Sequence, residues 1–301
     1  MRRTIVLILV LSVAIIAAGC GAGKTASETG EVKVLRMGII PADDAEEMLR
    51  SYEPVREYLS EQLGIPVEIK VTSDYTAAIE AMRAKHIDVA WFGPFSYVIA
   101  ANVAGAEAIV NGVRKSDGKS DYRSIIVVNA QSGIRNLEDL KGKSFAFVDP
   151  ASTSGNLIPR KMLIENGIDP DKDFGKFYYA GTHNAVEYAV ANGKVDAGAD
   201  SDNSYNRMVA AGEIDPKINK IIFTSDPIPG SPIALRNDLP ADLKIKIQEA
   251  LLRMDEQTIH KVSGWGDISS YQKVSDSDYD IIRDTAKILG MDITTAEAAS
   301  K

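Results

Sequence analysis

Apolar positions along the chain fall into short runs separated by longer stretches with helical spacing. Residues 33–40 (KVLRMGII) read as a strand, and 45–63 as an amphipathic helix stopped by Gly64. A second strand at 67–71, a helix at 75–85 and a third strand at 88–92 follow. Strands alternating with helices predict an α/β fold with a parallel sheet and crossover connections. A helix at 94–103 and strands at 108–113 and 124–129 lead to a point where the pattern restarts. The second half reads strand 144–148, helix 157–166, strand 177–180, helix 185–191 and strand 195–199. Late strands at 218–224 and 233–236 flank a Pro-Gly-Pro segment, and helices at 240–262 and 276–289 are expected to close the chain against its first half.

The halves echo each other. Ala81 stands seven residues before Asp88, and Ala189 seven before Asp196, each pair at a helix-to-strand step. The echo predicts two similar α/β lobes, the first from 32–129 with 233–301 and the second from 130–232. The crossovers between them are expected near 129–134 and 226–232. In open α/β sheets ligands sit beyond the carboxyl ends of the strands, so two such lobes face one cleft and site residues should follow strands.

One loop stands out. Between the strand 144–148 and the helix 157–166 lies Asp149-Pro150-Ala151-Ser152-Thr153-Ser154-Gly155-Asn156. A helix that starts from a short polar loop presents unpartnered N–H groups and the positive end of its dipole. Ser152, Thr153 and Ser154 add hydroxyl donors, and Gly155 has no Cβ to hold a ligand away from the backbone. The set suits a tetrahedral oxyanion, and it also reads as an ordinary N-cap in a polar loop. Pro159 removes an N–H near the first turn, which leaves the cap at Asn156 or Ser154. Other strand-following loops carry Asp74-Tyr75, His183 and the run Asp200-Ser201-Asp202-Asn203, and Tyr122 stands just before the strand 124–129. Tyr75 and Tyr122 offer phenolic donors or partly buried wall, and His183 a donor or a helix-start residue. Asp202 is either an N-cap or an acceptor for a protonated ligand oxygen.

The N-terminus changes the picture from an isolated globule to an exported one. Arg2-Arg3, an apolar run over 5–16 and Ala17-Ala18-Gly19-Cys20 form an export signal (1–19), too short for a good membrane span. Cys20 is the sole cysteine, so no intrachain disulfide forms. Its setting resembles a bacterial lipoprotein box, which implies a lipidated Cys20, and 20–31 read as a flexible tether. The formal net charge is −8, and removing Arg2 and Arg3 makes it more negative still. Such a body argues against nucleic acid or an anionic membrane face as partner, and any anion site must work through local donors.

Enzyme chemistry finds few residues. Only three histidines occur, with no HExxH, no Cys/His ligand spacing, no phosphate-loop lysine motif and no dinucleotide fingerprint. A phosphoesterase would have to be built from Ser154 and His183.

In chain order, Asp74-Tyr75, Asp88-Val89-Ala90-Trp91-Phe92-Gly93, Ser152-Thr153-Ser154-Gly155, Gly181-Thr182-His183 and Ile228-Pro229-Gly230-Ser231-Pro232 resemble the PhnD-type phosphonate/phosphite/phosphate-binding proteins. These are solute-binding components of ATP-driven importers, and the likeness spans nearly the whole mature chain. It implies a two-lobed periplasmic-binding-protein-like fold of type II that closes on its ligand, with no catalysis and no cofactor. It also implies an importer permease as partner, a monomer, and a place on the outer face of the cell membrane. Carried over, Ser152, Thr153, Ser154 and the Gly155 backbone hold the phosphorus oxyanion, Tyr75, Tyr122 and His183 complete the shell, and Asp202 accepts from a protonated oxygen. Family members that prefer amino-alkyl phosphonates place carboxylates where Asn203 and Ser231 stand here. A ligand ammonium would lack its buried counter-charge, so phosphite, methylphosphonate or phosphate is expected. A lipid-anchored sensor using the same cleft fits the same residues.

Overall fold

A computed structural model of the chain describes residues 32–261 and 268–295. The signal 1–19, Cys20 and the tether lie outside the described residues. Eleven strands among the described residues form two sheets. The first contains β1 (Leu35–Ile39), β2 (Val67–Val71), β3 (Val89–Trp91), β4 (Ala106–Arg114), β10 (Pro232–Arg236) and β11 (Ile268–Lys273), in the order β11-β4-β10-β3-β1-β2. The second contains β5 (Ser124–Asn129), β6 (Ser144–Phe147), β7 (Lys176–Tyr179), β8 (Ala197–Ser201) and β9 (Asn219–Thr224), in the order β7-β6-β8-β5-β9.

Strands linked through helices run parallel: β1 with β2 and β3, and β6 with β7 and β8. Beyond the edge strand β11, which runs antiparallel to β4, the expectation of a parallel sheet fails at β5 and β10, which pair antiparallel with both neighbours. Each arrives directly from the other sheet, with no crossover helix to restore its direction. β5 also corrects the expected first crossover. Expected in the first lobe, it lies between β8 and β9, so the chain leaves the first sheet through the polar segment 115–121, ahead of β5. It returns between Thr224 and Pro232, and the two passages are tied where Tyr122 and Ile228 exchange backbone hydrogen bonds of 3.1 and 2.7 Å. Gly230 permits this approach, because a Cβ there would lie 2.3 Å from the Ser120 carbonyl oxygen.

Helices flank both sheets. Around the first run α1 (Ala45–Leu63), α2 (Tyr75–Arg83) and α3 (Pro94–Ala104). The second carries α4 (Ile158–Glu165), the short α5 (Pro170–Asp173), α6 (His183–Ala191) and α7 (Asp202–Ala211). The expected helix over 240–262 is two, α8 (Ala241–Leu252) and α9 (Glu256–Lys261), because Asp255 starts a new one by accepting the Thr258 N–H at 2.8 Å. The last expected helix is a 3₁₀ turn, Asp276–Tyr279, followed by α10 (Asp280–Ile288).

The aspartates of the sequence echo do the same work in each sheet. Asp88, just before β3, accepts the backbone N–H of Arg36 in β1 at 2.9 Å, and Asp196, just before β8, accepts that of Ser144 in β6 at 2.9 Å. Asp88 is also held by the guanidinium groups of Arg36 and Arg236. Alternation places Phe145, Phe147, Ile126 and Val128 on one face of the second sheet with Leu163 and Met162 of α4. Ala146, Val148, Ile125 and Val127 turn to the opposite face and join the large core. The strand ends of both sheets are thereby fixed on packed layers.

Candidate functional site

The Ser-Thr-Ser loop takes an uncommon form. Residues Thr153–Leu157 make a π-helical turn ahead of α4, with Ser152 as its cap. The Leu157 N–H reaches back to the Ser152 carbonyl at 3.0 Å, and Ser152 Oγ accepts the Gly155 N–H at 3.0 Å. The cap is therefore at Ser152, earlier than Ser154 or Asn156, since the five-residue repeat widens the turn and shifts its start. Asn156 serves as a staple instead. Its amide donates to the Pro150 carbonyl at 2.7 Å, and its carbonyl accepts from Arg160 at 2.9 Å. Arg160 is buried over the rings of Phe147 and Phe177 at 4.8 and 5.1 Å, which locks the loop to β6 and β7.

Two sheets' worth of strand-end residues meet the loop around a cavity of about 110 Å³. Tyr75, Tyr122, Ser152, Thr153, Ser154, His183, Asn203 and Ser231 all line it. Tyr75 opens α2 after the Asp74 cap, and it shares the cavity lining with Ser152. Burial pushes the Tyr75 hydroxyl well above its ordinary pKa and that of Tyr122 up to about 12, so both remain O–H donors. The Tyr122 hydroxyl stands within hydrogen-bond reach of Thr153, Ser154 and Ser231. Thr153 Oγ1 accepts the first free N–H of α3, from Phe95, at 2.8 Å, which leaves its own O–H to donate into the cavity.

His183 opens α6 and bridges the cleft through its backbone N–H, which donates to Ala42 after β1 at 2.8 Å. Its Nδ1 lies 2.5 Å from Asp200 Oδ1. Burial pushes the imidazole down and the carboxyls of Asp200 and Glu187 up. Burial thus favours the uncharged ring.

Two expected residues stand elsewhere. Gly155 does not line the cavity. The space its missing Cβ leaves is taken by Val148, whose Cγ2 lies 2.3 Å from where that atom would be. Asp202 does not line it either. It begins α7 and exchanges hydrogen bonds with the Arg123 backbone, accepting at 2.9 Å and donating at 3.0 Å. Conversely, Asp43, Arg207, Arg114 and Tyr271 line the cavity without having been expected there. Asp43 and Arg207 form an ion pair of 2.6 Å with both side chains largely buried. Asp43 follows β1, so the strand-end rule reaches it once it is applied to the first strand. Arg207 lies inside a helix that the apolar pattern does not reveal.

Residues 37–279 match the family described as the ABC transporter, phosphonate, periplasmic substrate-binding protein. The chain belongs to this family. A phosphate-import protein PhnD from Mycolicibacterium smegmatis is 32% identical, over 92% of this chain and 94% of that protein. A phosphonates-binding periplasmic protein from Escherichia coli is 30% identical, over 77% of this chain and 71% of its own length. Among solved structures, a binding protein component of an ABC phosphonate transporter from Pseudomonas aeruginosa superposes with a TM-score of 0.80 at 28% identity, covering 87% of this chain and 88% of that one. The two sheets and their double connection are accordingly the two-lobed type II fold of periplasmic binding proteins.

Proposed function

We propose that this chain captures a small phosphorus oxyanion without an amine, phosphite, methylphosphonate or phosphate, outside the cytoplasm and hands it to an ATP-driven importer. The observation that carries the reading is the convergence of five hydroxyls, from Tyr75, Tyr122, Ser152, Thr153 and Ser154, with His183 on one cavity. Hydroxyl donors satisfy several oxygens of a tetrahedral anion without a large positive field, as an acidic protein requires. Each hydrogen bond to a charged group contributes about 1.5–3 kcal/mol, so several together support micromolar to nanomolar binding after closure costs.

The absence of an amine follows from the lining. Asn203 and Ser231 are uncharged, and the lining carboxylate Asp43 is already paired with Arg207. An ammonium would be desolvated with no free counter-charge. Cys20 as a lipid anchor fits an importer component held at the outer membrane face, with the permease as its docking partner.

Calorimetric titration of signal-free protein, refolded to remove carried-over ligand, tests this against phosphite, methylphosphonate, phosphate and 2-aminoethylphosphonate. Tight binding of one of the first three with the amine compound weak supports the proposal. Preference for the amine overturns the reading of Asn203 and Ser231, and binding of none overturns the ligand class.

A further inference from the structure

Behind His183 lies a cluster with more acceptors than donors. Asp200 and Glu187 are both 0% exposed. Asp200 Oδ1 accepts the Ser201 N–H at 2.6 Å and faces His183 Nδ1 at 2.5 Å, while Glu187 Oε2 accepts the Asn219 amide at 2.6 Å. Asp200 Oδ2 and Glu187 Oε1 have no donor, and the two carboxyls lie within hydrogen-bond reach of each other. Two ionised carboxylates facing one another in an apolar interior repel, and each unmet oxygen carries a desolvation cost. A single proton between them satisfies both. Asp200 already receives the Ser201 N–H and the imidazole, whereas Glu187 receives only Asn219, so the negative charge rests on Asp200 and the proton on Glu187.

The surrounding charges do not undo this. Asp43, after β1, and Arg207, from α7, face His183 but pair with each other at 2.6 Å. Tyr205, also from α7, donates its hydroxyl to the Asn219 carbonyl at 2.7 Å and so has no proton left for Glu187.

We infer that Glu187 and Asp200 share one proton and thereby hold His183 as the Nδ1–H tautomer, whose Nε2 presents an acceptor to the cavity. A neutral imidazole that donates from Nδ1 carries a bare lone pair at Nε2. That lone pair meets a tetrahedral oxyanion favourably only where one ligand oxygen is protonated. Phosphorus oxyanions keep such a proton near neutral pH and sulfate does not. His183 thus takes the role expected of Asp202, and Glu187 and Asp200 act through it as positioning residues. The ligand half rests on the phosphorus-oxyanion reading above, whereas the shared proton stands apart from it.

Imidazole nitrogen shifts of ligand-free, nitrogen-15-labelled protein test the shared proton, with the His183 signals assigned by their loss in His183→Gln. The expected ring at pH 7 is neutral and protonated at Nδ1. Glu187→Gln should leave it so, because the amide donates to Asp200 and accepts from Asn219 as the acid does, and should change phosphite affinity by no more than about threefold. Glu187→Met should mix the tautomers and weaken phosphite by about tenfold or more. A ring protonated at Nε2, a cationic ring at pH 7, or Glu187→Gln as damaging as Glu187→Met overturns the inference. Competition titration tests the selectivity, and sulfate is expected to bind at least about 100-fold more weakly than phosphite. Equal binding overturns the Nε2 acceptor. If no phosphorus oxyanion binds, the proposed function fails, while the tautomer and its response to Glu187→Gln and Glu187→Met still decide the shared proton.

Discussion

A single hydroxyl can hold two sides of a cleft, and Thr153 does so. Its oxygen accepts the Phe95 N–H at 2.8 Å while its proton remains for a ligand. Thr153→Ala removes both, and titration should show a loss of about 10- to 100-fold in affinity, from about 1.5–3 kcal/mol per charged hydrogen bond. Thr153→Ser, which keeps the oxygen, should lose less than the alanine variant. Asp149 gives a pH signature at the same scale. Burial raises its carboxyl to about 6, although the N–H groups of Ala151 and Tyr75 pull the other way. A raised carboxyl stabilises the folded protein fully below its unfolded value near 4, and the contribution is lost as pH rises through about 6. Thermal unfolding between pH 4 and 7 should therefore show a decline that Asp149→Asn flattens. Residue type and position beside strands picked out Tyr75, Tyr122, Ser152, Thr153, Ser154 and His183, all of which line the cavity. They did not suffice for Asp202, because only the fold shows that the Arg123 N–H reaches its carboxylate first.

At the scale of elements, the π-helical turn depends on Gly155 for packing rather than for ligand approach. An alanine there would press on Val148 at 2.3 Å, so Gly155→Ala should destabilise the fold by about 1–3 kcal/mol in denaturant titration. The same Gly155→Ala change should cost less in a Val148→Gly background, since that removes both the Cγ2 and the Cβ, 2.4 Å away, that contest the space. A penalty unchanged by the second substitution would point to the Ser152 hydroxyl, 2.9 Å from the added Cβ, instead. Periodicity showed most helices and strands because their buried faces repeat at 3.6 or 2 residues. β11 escaped because only Ile268 and Tyr271 of its IleSerSerTyrGlnLys sequence are large and apolar, and α7 because Asp-Asn-Ser opens it with loop-forming residues. β5 was found as a strand but placed in the wrong lobe. Pairing across a hinge is a long-range property, and the Gln131-Ser132-Gly133 turn after β5 looks as linker-like as the true passage at 115–121.

At the scale of the whole molecule, the polar contacts that join the lobes around the cavity include Thr153 with the Phe95 N–H, the His183 N–H with Ala42, and Arg207 with Asp43. The first two use groups that water satisfies equally well when the lobes part, so their net contribution to closure is modest. The ion pair differs. It is buried, Asp43 is pushed toward the neutral form by desolvation and held ionised by Arg207, and Ser204 from α7 adds a weak hydrogen bond at 3.4 Å. Removing Arg207 alone leaves a buried negative charge beside a cavity lined for an anion, which penalises the closed, liganded state more than the open one. Arg207→Met should therefore speed ligand release by about tenfold or more while leaving the association rate within a few-fold, because encounter precedes closure. Asp43→Asn combined with Arg207→Met should bring release back toward the original rate by discharging the stranded carboxylate. Stopped-flow release from signal-free protein reads both variants. If the double variant releases ligand as fast as Arg207→Met alone, the guanidinium contacts the ligand itself rather than latching the lobes.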